Sequence, residues 1–127
     1  MFDDSGVDLV FSLRGKPATL AVQVKARFDT SKRVGRGSFR IDIRKATFEP
    51  RADLAILAVL YDSVKLDFGP IWLVPSLDFA TLTKSQSARR RVWVMAMSLA
   101  GTNNRWSSYR RTRSNLHEGL VDLLKKL

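Results

Sequence analysis

The segment Leu54–Tyr61 reads Leu-Ala-Ile-Leu-Ala-Val-Leu-Tyr, eight apolar residues in an unbroken run. A helix that crosses a bilayer needs roughly 20 such residues, so the run is too short to span a membrane. A half-exposed strand would alternate polar with apolar side chains. An uninterrupted run of this length fits a strand covered on both faces. The chain is therefore expected to build its sheet around a central strand at 53–61, with an apolar layer on either side. Its 127 residues, 45% hydrophobic and 27% charged, fit one soluble domain over 1–127 with a packed core.

The flanking segments supply neighbours and cover. Val7–Leu13 is rich in β-forming residues, and Arg14-Gly15-Lys16-Pro17 is a turn. In Thr19–Ala26, Leu20, Val22 and Val24 alternate with Ala21, Gln23 and Lys25. The two segments predict an antiparallel hairpin. Phe39, Ile41 and Ile43 alternate with Arg40, Asp42 and Arg44, a short strand. Residues 44–51 are ambiguous, with room for a helical turn that ends before Pro50. Residues 70–75 form a strand expected near a sheet edge because of Pro70 and Pro75. A helical turn at 77–82 and a strand at 91–99 follow. Leu116, Leu120, Leu123, Leu124 and Leu127 mark one face of a C-terminal helix, and Lys125 and Lys126 complement the dipole at its end. Strands come first and a packing helix comes last. The expected fold class is α+β, a mixed β-sheet with a C-terminal amphipathic helix packed on it.

Several chemistries are excluded by composition. With no cysteine, disulfides, thiolate metal sites and cysteine nucleophiles are absent. That fits a cytoplasmic protein, as does the lack of a basic, apolar leader at the N-terminus. The single histidine, His117, rules out a multi-histidine zinc site and has no context for Ser-His-Asp chemistry. Gly35 and Gly37 lie outside any phosphate-loop motif for nucleoside triphosphates. Twenty-two Lys and Arg stand against twelve Asp and Glu, a net charge of +10. A field of that size attracts polyanions, nucleic acid first among them. The charge is also segregated. Residues 1–13 contain Asp3, Asp4 and Asp8 and no base, whereas bases cluster at 25–51, at Arg89-Arg90-Arg91 and from Arg105 to Arg113.

Three polar residues in the predicted hairpin carry the chemical argument. Gln23 and Lys25 share one face of their strand because side chains alternate. A hairpin that turns near 15–16 places Asp8 close to residue 23 on the neighbouring strand. Phosphodiester hydrolysis needs a cation to polarise phosphate and acidify water, and Mg²⁺ prefers hard oxygen ligands while keeping several waters. Asp8 offers a carboxylate, Gln23 an amide oxygen, and Val24 a backbone carbonyl between Gln23 and Lys25. Lys25 would orient the attacking water and stabilise developing negative charge.

The pattern Gly6-Val7-Asp8, a tight turn, then Gln23-Val24-Lys25 resembles the PD-(D/E)xK nucleases, the restriction-endonuclease-like superfamily, in its variant with Gln at the second acidic position. The resemblance covers residues 5–27, and more loosely the strands at 53–61 and 72–75. It implies a restriction-endonuclease-like mixed sheet. It also implies Mg²⁺ or Mn²⁺ held at Asp8, Gln23 and the Val24 carbonyl, with Lys25 catalytic, in an enzyme that hydrolyses phosphodiester bonds in DNA. Many members dimerise to cut two strands, so a homodimer is one expectation. The chain departs from the pattern in two ways. Many members carry a Glu on a helix ahead of the Asp strand, and Met1 lies too close to Asp8 for that helix, leaving Asp3 or Asp4 to stand in for it. The helix expected after the Lys strand is also hard to find in 28–50.

Other basic residues complete the expected surface. Arg27, Lys32, Arg33 and Arg36 lie on or beside a loop after the Lys strand, where they would clamp nucleic acid or only solubilise the loop. Arg110, Arg111 and Arg113 are expected to touch phosphates, while Trp106 and Tyr109 cover the core. Two alternatives stay open: an inactive nuclease fold that only binds DNA, and a basic partner-binding subunit.

Overall fold

The computed structural model describes residues 7–29, 37–99 and 104–127. Its elements in chain order are β1 (Leu9–Ser12), β2 (Thr19–Asp29), β3 (Ser38–Arg44), β4 (Leu54–Asp62), β5 (Asp67–Pro75), α1 (Ser76–Thr83), β6 (Val92–Ser98), a 3-10 turn at Ser107–Tyr109, β7 (Arg110–Arg111) and α2 (Leu116–Lys125). Five strands form a mixed sheet in the order β1-β2-β4-β5-β7, and β3 pairs with β6 in a second, two-stranded sheet. Among the described residues only β2 and β4 run parallel, and every other pair is antiparallel. The fold is α+β with a C-terminal helix. Among the described residues no helix is long and apolar enough to cross a membrane.

The apolar run does lie at the centre of the sheet. Of the nine residues of β4, all but Tyr61 are buried. Its side chains divide strictly between two cores. Ile56, Ala58 and Leu60 face Phe39, Ile41 and Ile43 of β3, Phe79 of α1, Met95 of β6 and Trp106. Ala55, Leu57 and Val59 face the opposite way, into Leu20 and Val22 of β2, Ile71 and Leu73 of β5, and Leu120 and Leu124 of α2. The small β3–β6 sheet thus roofs one face and the C-terminal helix roofs the other. Trp106 covers the core as its sequence context implied, and Tyr109 packs against the same cluster.

The hairpin of β1 and β2 turns at Gly15, whose φ of +78° needs the left-handed region that glycine enters without strain. Because β2 and β4 are parallel, the chain must cross over between them. Among the described residues that crossover carries β3 and a turn, and no helix. Pro70 is accommodated by an irregularity: the β4–β5 register shifts between Val59 and Tyr61, opposite Gly69 and Pro70. β5 is the last long strand on its side, since β7 pairs only with Ile71 and Trp72.

Two predictions follow from this packing. A Cβ on Gly69 would sit 2.9 Å from the backbone carbonyl oxygen of Leu60, whereas one on Gly37 would meet nothing within 4 Å. Gly69→Ala is expected to lower unfolding free energy by about 1–3 kcal/mol, and Gly37→Ala by less than about 1 kcal/mol, in urea denaturation. The second concerns Tyr109, whose hydroxyl donates to Asp78 on α1 at 3.1 Å. Burial, then the Asp78 charge and this hydrogen bond, raise the phenol above its ordinary pKa of 10.0. The neutral phenol is favoured in the folded state, so its contribution is complete below the unfolded value and disappears as pH rises through the folded one. The stability gap between the wild type and Tyr109→Phe should therefore narrow as pH climbs past about 10; a gap that stays constant with pH contradicts this.

Candidate active site

The strand pair that carries Asp8, Gln23 and Lys25 is antiparallel, with Leu9 opposite Val22 and Ser12 opposite Thr19. β1 stops at Leu9, but Asp8 extends the contact by other means. Its N–H donates to the Val22 carbonyl at 2.9 Å. Its carboxylate Oδ2 accepts the Val24 N–H at 2.7 Å. A side-chain oxygen thus takes the place of a backbone acceptor just where the β1 ladder ends. The N–H and C=O of one strand residue point toward the same neighbour, so the Val24 carbonyl lies on the same sheet edge as the Asp8 carboxylate. One edge of β2 therefore presents a carboxylate and a carbonyl oxygen together.

Gln23 and Lys25 project from the face of β2 that carries Ile56 and Ala58 on the neighbouring strand, their partners in the parallel register. That face is roofed by the β3–β6 layer. Gln23 is consequently 9% exposed, and its amide has no hydrogen-bond partner among the described residues. Among the described residues the one buried side-chain polar atom without a partner is Arg111 Nε, so the Gln23 amide keeps access to solvent through the cavity it lines. Lys25 is half-buried, with no carboxylate paired to it among the described residues.

Gln23 lines a cavity of about 260 Å³ together with Val7, Phe48, Glu49, Arg51 and Leu54. The turn after β3 brings these residues here. Phe48 is buried against Phe79, ring centroids 5.6 Å apart, and pins that turn to the core. The Ser76 hydroxyl accepts from Arg51 N–H at 2.9 Å and donates to Arg51 C=O at 2.7 Å, fixing the chain just before β4. Arg51 in turn pairs with Asp53 at 2.7 Å. Glu49 was not anticipated. In the sequence it is one acid in an ambiguous stretch before Pro50; only the folding of the β3 turn over β2 brings it beside Gln23. Asp3 and Asp4 lie outside the described residues.

Oxygen donors lie in two groups: the Asp8 carboxylate and the Val24 carbonyl on the sheet edge, and the Gln23 amide and Glu49 in the lining of the cavity, to which Asp8 and Lys25 do not contribute. This set suits a hard divalent cation that keeps part of its water. No group of three or more His, Cys, Asp or Glu side chains converges among the described residues. An all-carboxylate cage is therefore not formed by the described residues.

The basic residues divide. Arg27 is exposed on β2 and donates to the Ala26 carbonyl at 3.0 Å. Lys32, Arg33 and Arg36 lie outside the described residues. The C-terminal arginines are engaged within the fold. Arg110 covers the Trp72 ring, its guanidinium carbon 5.4 Å from the centroid. Arg111 packs on α2, with its Nε 2.9 Å from where a Cβ of Gly119 would stand. Arg113 pairs with Asp67 at 2.7 Å on an exposed surface. His117 is exposed on α2.

Searches against protein-family models, curated proteins and solved structures find no match to this chain.

The Asp8–Val24 hydrogen bond separates a structural from a chemical role for Asp8. Asp8→Asn keeps an oxygen acceptor for Val24 and should unfold within about 0.5 kcal/mol of the wild type. Asp8→Ala leaves that N–H without its acceptor and should cost about 0.5–1.5 kcal/mol in urea denaturation.

Proposed function

We propose that the chain is a metal-dependent nuclease that hydrolyses phosphodiester bonds in DNA, with Asp8, Gln23 and the Val24 carbonyl as cation ligands and Lys25 as the electrostatic catalyst. The observation that carries this reading is the 2.7 Å bond from Val24 N–H to the Asp8 carboxylate. It anchors an acid to the same strand whose next residues present an unpartnered amide and an unpaired ammonium on one face. A divalent cation bound there would neutralise the scissile phosphate and lower the pKa of water.

The protein groups have distinct tasks. Asp8 and Val24 supply oxygen on the sheet edge, and Gln23 supplies oxygen from the face. The Lys25 ammonium stands two residues from Gln23, where it meets the negative charge that builds on the phosphate as water adds and the leaving oxygen departs. Burial of Gln23 excludes bulk water from one side of the site, which strengthens such interactions. The net charge of +10 draws a polyanion toward the acidic centre.

A second reading has its own support. With no group of three acidic or histidine side chains converging among the described residues, a nuclease fold that binds DNA without cutting it is the alternative.

Nicking of supercoiled plasmid in Mg²⁺ or Mn²⁺ is the test. Lys25→Ala and Asp8→Asn should each lower cleavage by about 10²-fold or more, with unchanged melting for Asp8→Asn. Equal cleavage by wild type and Lys25→Ala removes the catalytic assignment. Calorimetric titration with Mn²⁺ separates the two readings: uptake that Asp8→Asn abolishes belongs to the enzyme, and salt-sensitive DNA binding without uptake belongs to the binding module.

A further inference from the structure

A second cavity, of about 450 Å³, opens between the turn after α1 and strand β6 and is lined in part by Ser85, Gln86, Ser87, Arg90, Arg105 and Trp106. Among the described residues two guanidinium groups share this lining and no carboxylate does. The arrangement is built rather than incidental. Gln86 clamps the turn to β6 through both ends of its amide: Nε2 donates to the Val94 carbonyl at 2.7 Å, and Oε1 accepts the Val94 N–H at 2.9 Å. Lys45 donates to the Ser87 carbonyl at 3.0 Å while its ammonium lies 4.0 Å over the Trp93 ring. Trp106, 2% exposed, supplies a rigid apolar wall.

The two arginines are held differently. Arg105 donates through Nη1 to the Leu82 carbonyl at 3.0 Å, in the last turn of α1. A guanidinium has five N–H donors, so this tether orients the group and leaves most of its donors for a ligand. The Arg90 side chain has no hydrogen bond or ion pair among the described residues. The Ser85 hydroxyl is likewise uncommitted among them. Both arginines are solvent-exposed, so their free N–H donors are open to an oxyanion that enters the cavity.

We propose that this cavity is a phosphate-binding site, in which Arg90 and Arg105 grip one phosphate group with Ser85 as a supporting donor. Guanidinium forks match phosphate oxygens in pairs. The volume admits a phosphate with its attached sugar, since small-molecule sites begin near roughly 300 Å³. The phosphate can come from a nucleic-acid strand or from a free mononucleotide. The site is separate from Asp8, Gln23 and Lys25 and does not depend on cleavage.

The test is binding in EDTA, where metal-dependent cleavage is silent. Fluorescence anisotropy with a labelled single-stranded DNA oligonucleotide compares the wild type, Arg90→Gln, the double variant Arg90→Gln/Arg105→Gln, and a control that removes two distant charges, Arg14→Gln/Lys126→Gln. Each lost phosphate contact should lower the salt slope by about 0.7 for a single strand. The double variant should bind about tenfold more weakly than the control. Because Arg105 also holds the Leu82 carbonyl, Arg90→Gln is the variant free of structural cost, and its melting temperature should match that of the wild type. A parallel titration with adenosine monophosphate, read by tryptophan fluorescence, distinguishes the source. Saturation by the nucleotide that depends on Arg90, with oligonucleotide affinity equal to the control, assigns the cavity to free phosphomonoesters. Loss of oligonucleotide affinity assigns it to a strand. If neither probe separates the Arg90 variants from the control, the cavity does not bind phosphate and the proposal fails.

Discussion

Water can reach neither face of β4 without exposing a row of aliphatic side chains, and the architecture is arranged around that constraint. Ile56, Ala58 and Leu60 require one roof and Ala55, Leu57 and Val59 another. The C-terminal helix supplies the second with Leu120 and Leu124. The first is harder to supply, because the chain leaves β2 and must return to β4 in parallel. It uses that crossover for β3, whose Phe39, Ile41 and Ile43 alternate inward, and completes the layer with β6. At roughly 25 cal/mol per Å² of apolar surface, burying each of the isoleucine, leucine, valine and phenylalanine side chains is worth about 1.5–3 kcal/mol. That is why the pairing of β3 with β6 follows from the needs of β4.

The candidate site is a by-product of the same arrangement. The β3–β6 roof covers the face of β2 that carries Gln23, so its amide opens into a cavity that Glu49 also lines. β1 is short, and where its ladder ends the Asp8 carboxylate takes over the Val24 N–H. A carboxylate in that position is held in place by the strand it serves, which gives it a fixed geometry without a surrounding cage. Other positive charge among the described residues is in part engaged within the fold, as with Arg110 on Trp72 and Arg113 on Asp67, and in part lines the cavity of Arg90 and Arg105.

Much of this was legible in the residues. The hairpin of β1 and β2, the shared face of Gln23 and Lys25, the alternation in β3 and the helical spacing of Leu116, Leu120 and Leu124 are all short-range patterns. Boundaries were less clear: β2 runs on to Asp29 and α1 to Thr83, because pairing with β4 and packing against its neighbours extend an element beyond its strongest pattern. Pro70 pointed toward an edge, and the register shift at Gly69 explains how proline is tolerated one strand further in. Arg110, Arg111 and Arg113 read as phosphate contacts; that Arg111 reaches across Gly119 and Arg113 finds Asp67, 46 residues away, was not written in the local sequence.

The sequence alone determined most of the strands and both helices, though not β7 or the start of β5, which of their faces are apolar, and that three polar groups occupy adjacent positions in one hairpin. Those properties depend on backbone periodicity and turn chemistry, which act over a few residues. The tertiary structure decided that β3 pairs with β6, that Glu49 lies beside Gln23, and that Arg90 and Arg105 share one cavity. Each of these joins segments distant in the chain, and their meeting is chosen by how two apolar layers close over one strand. That choice minimises exposed surface over the whole molecule, so no local stretch of residues records it.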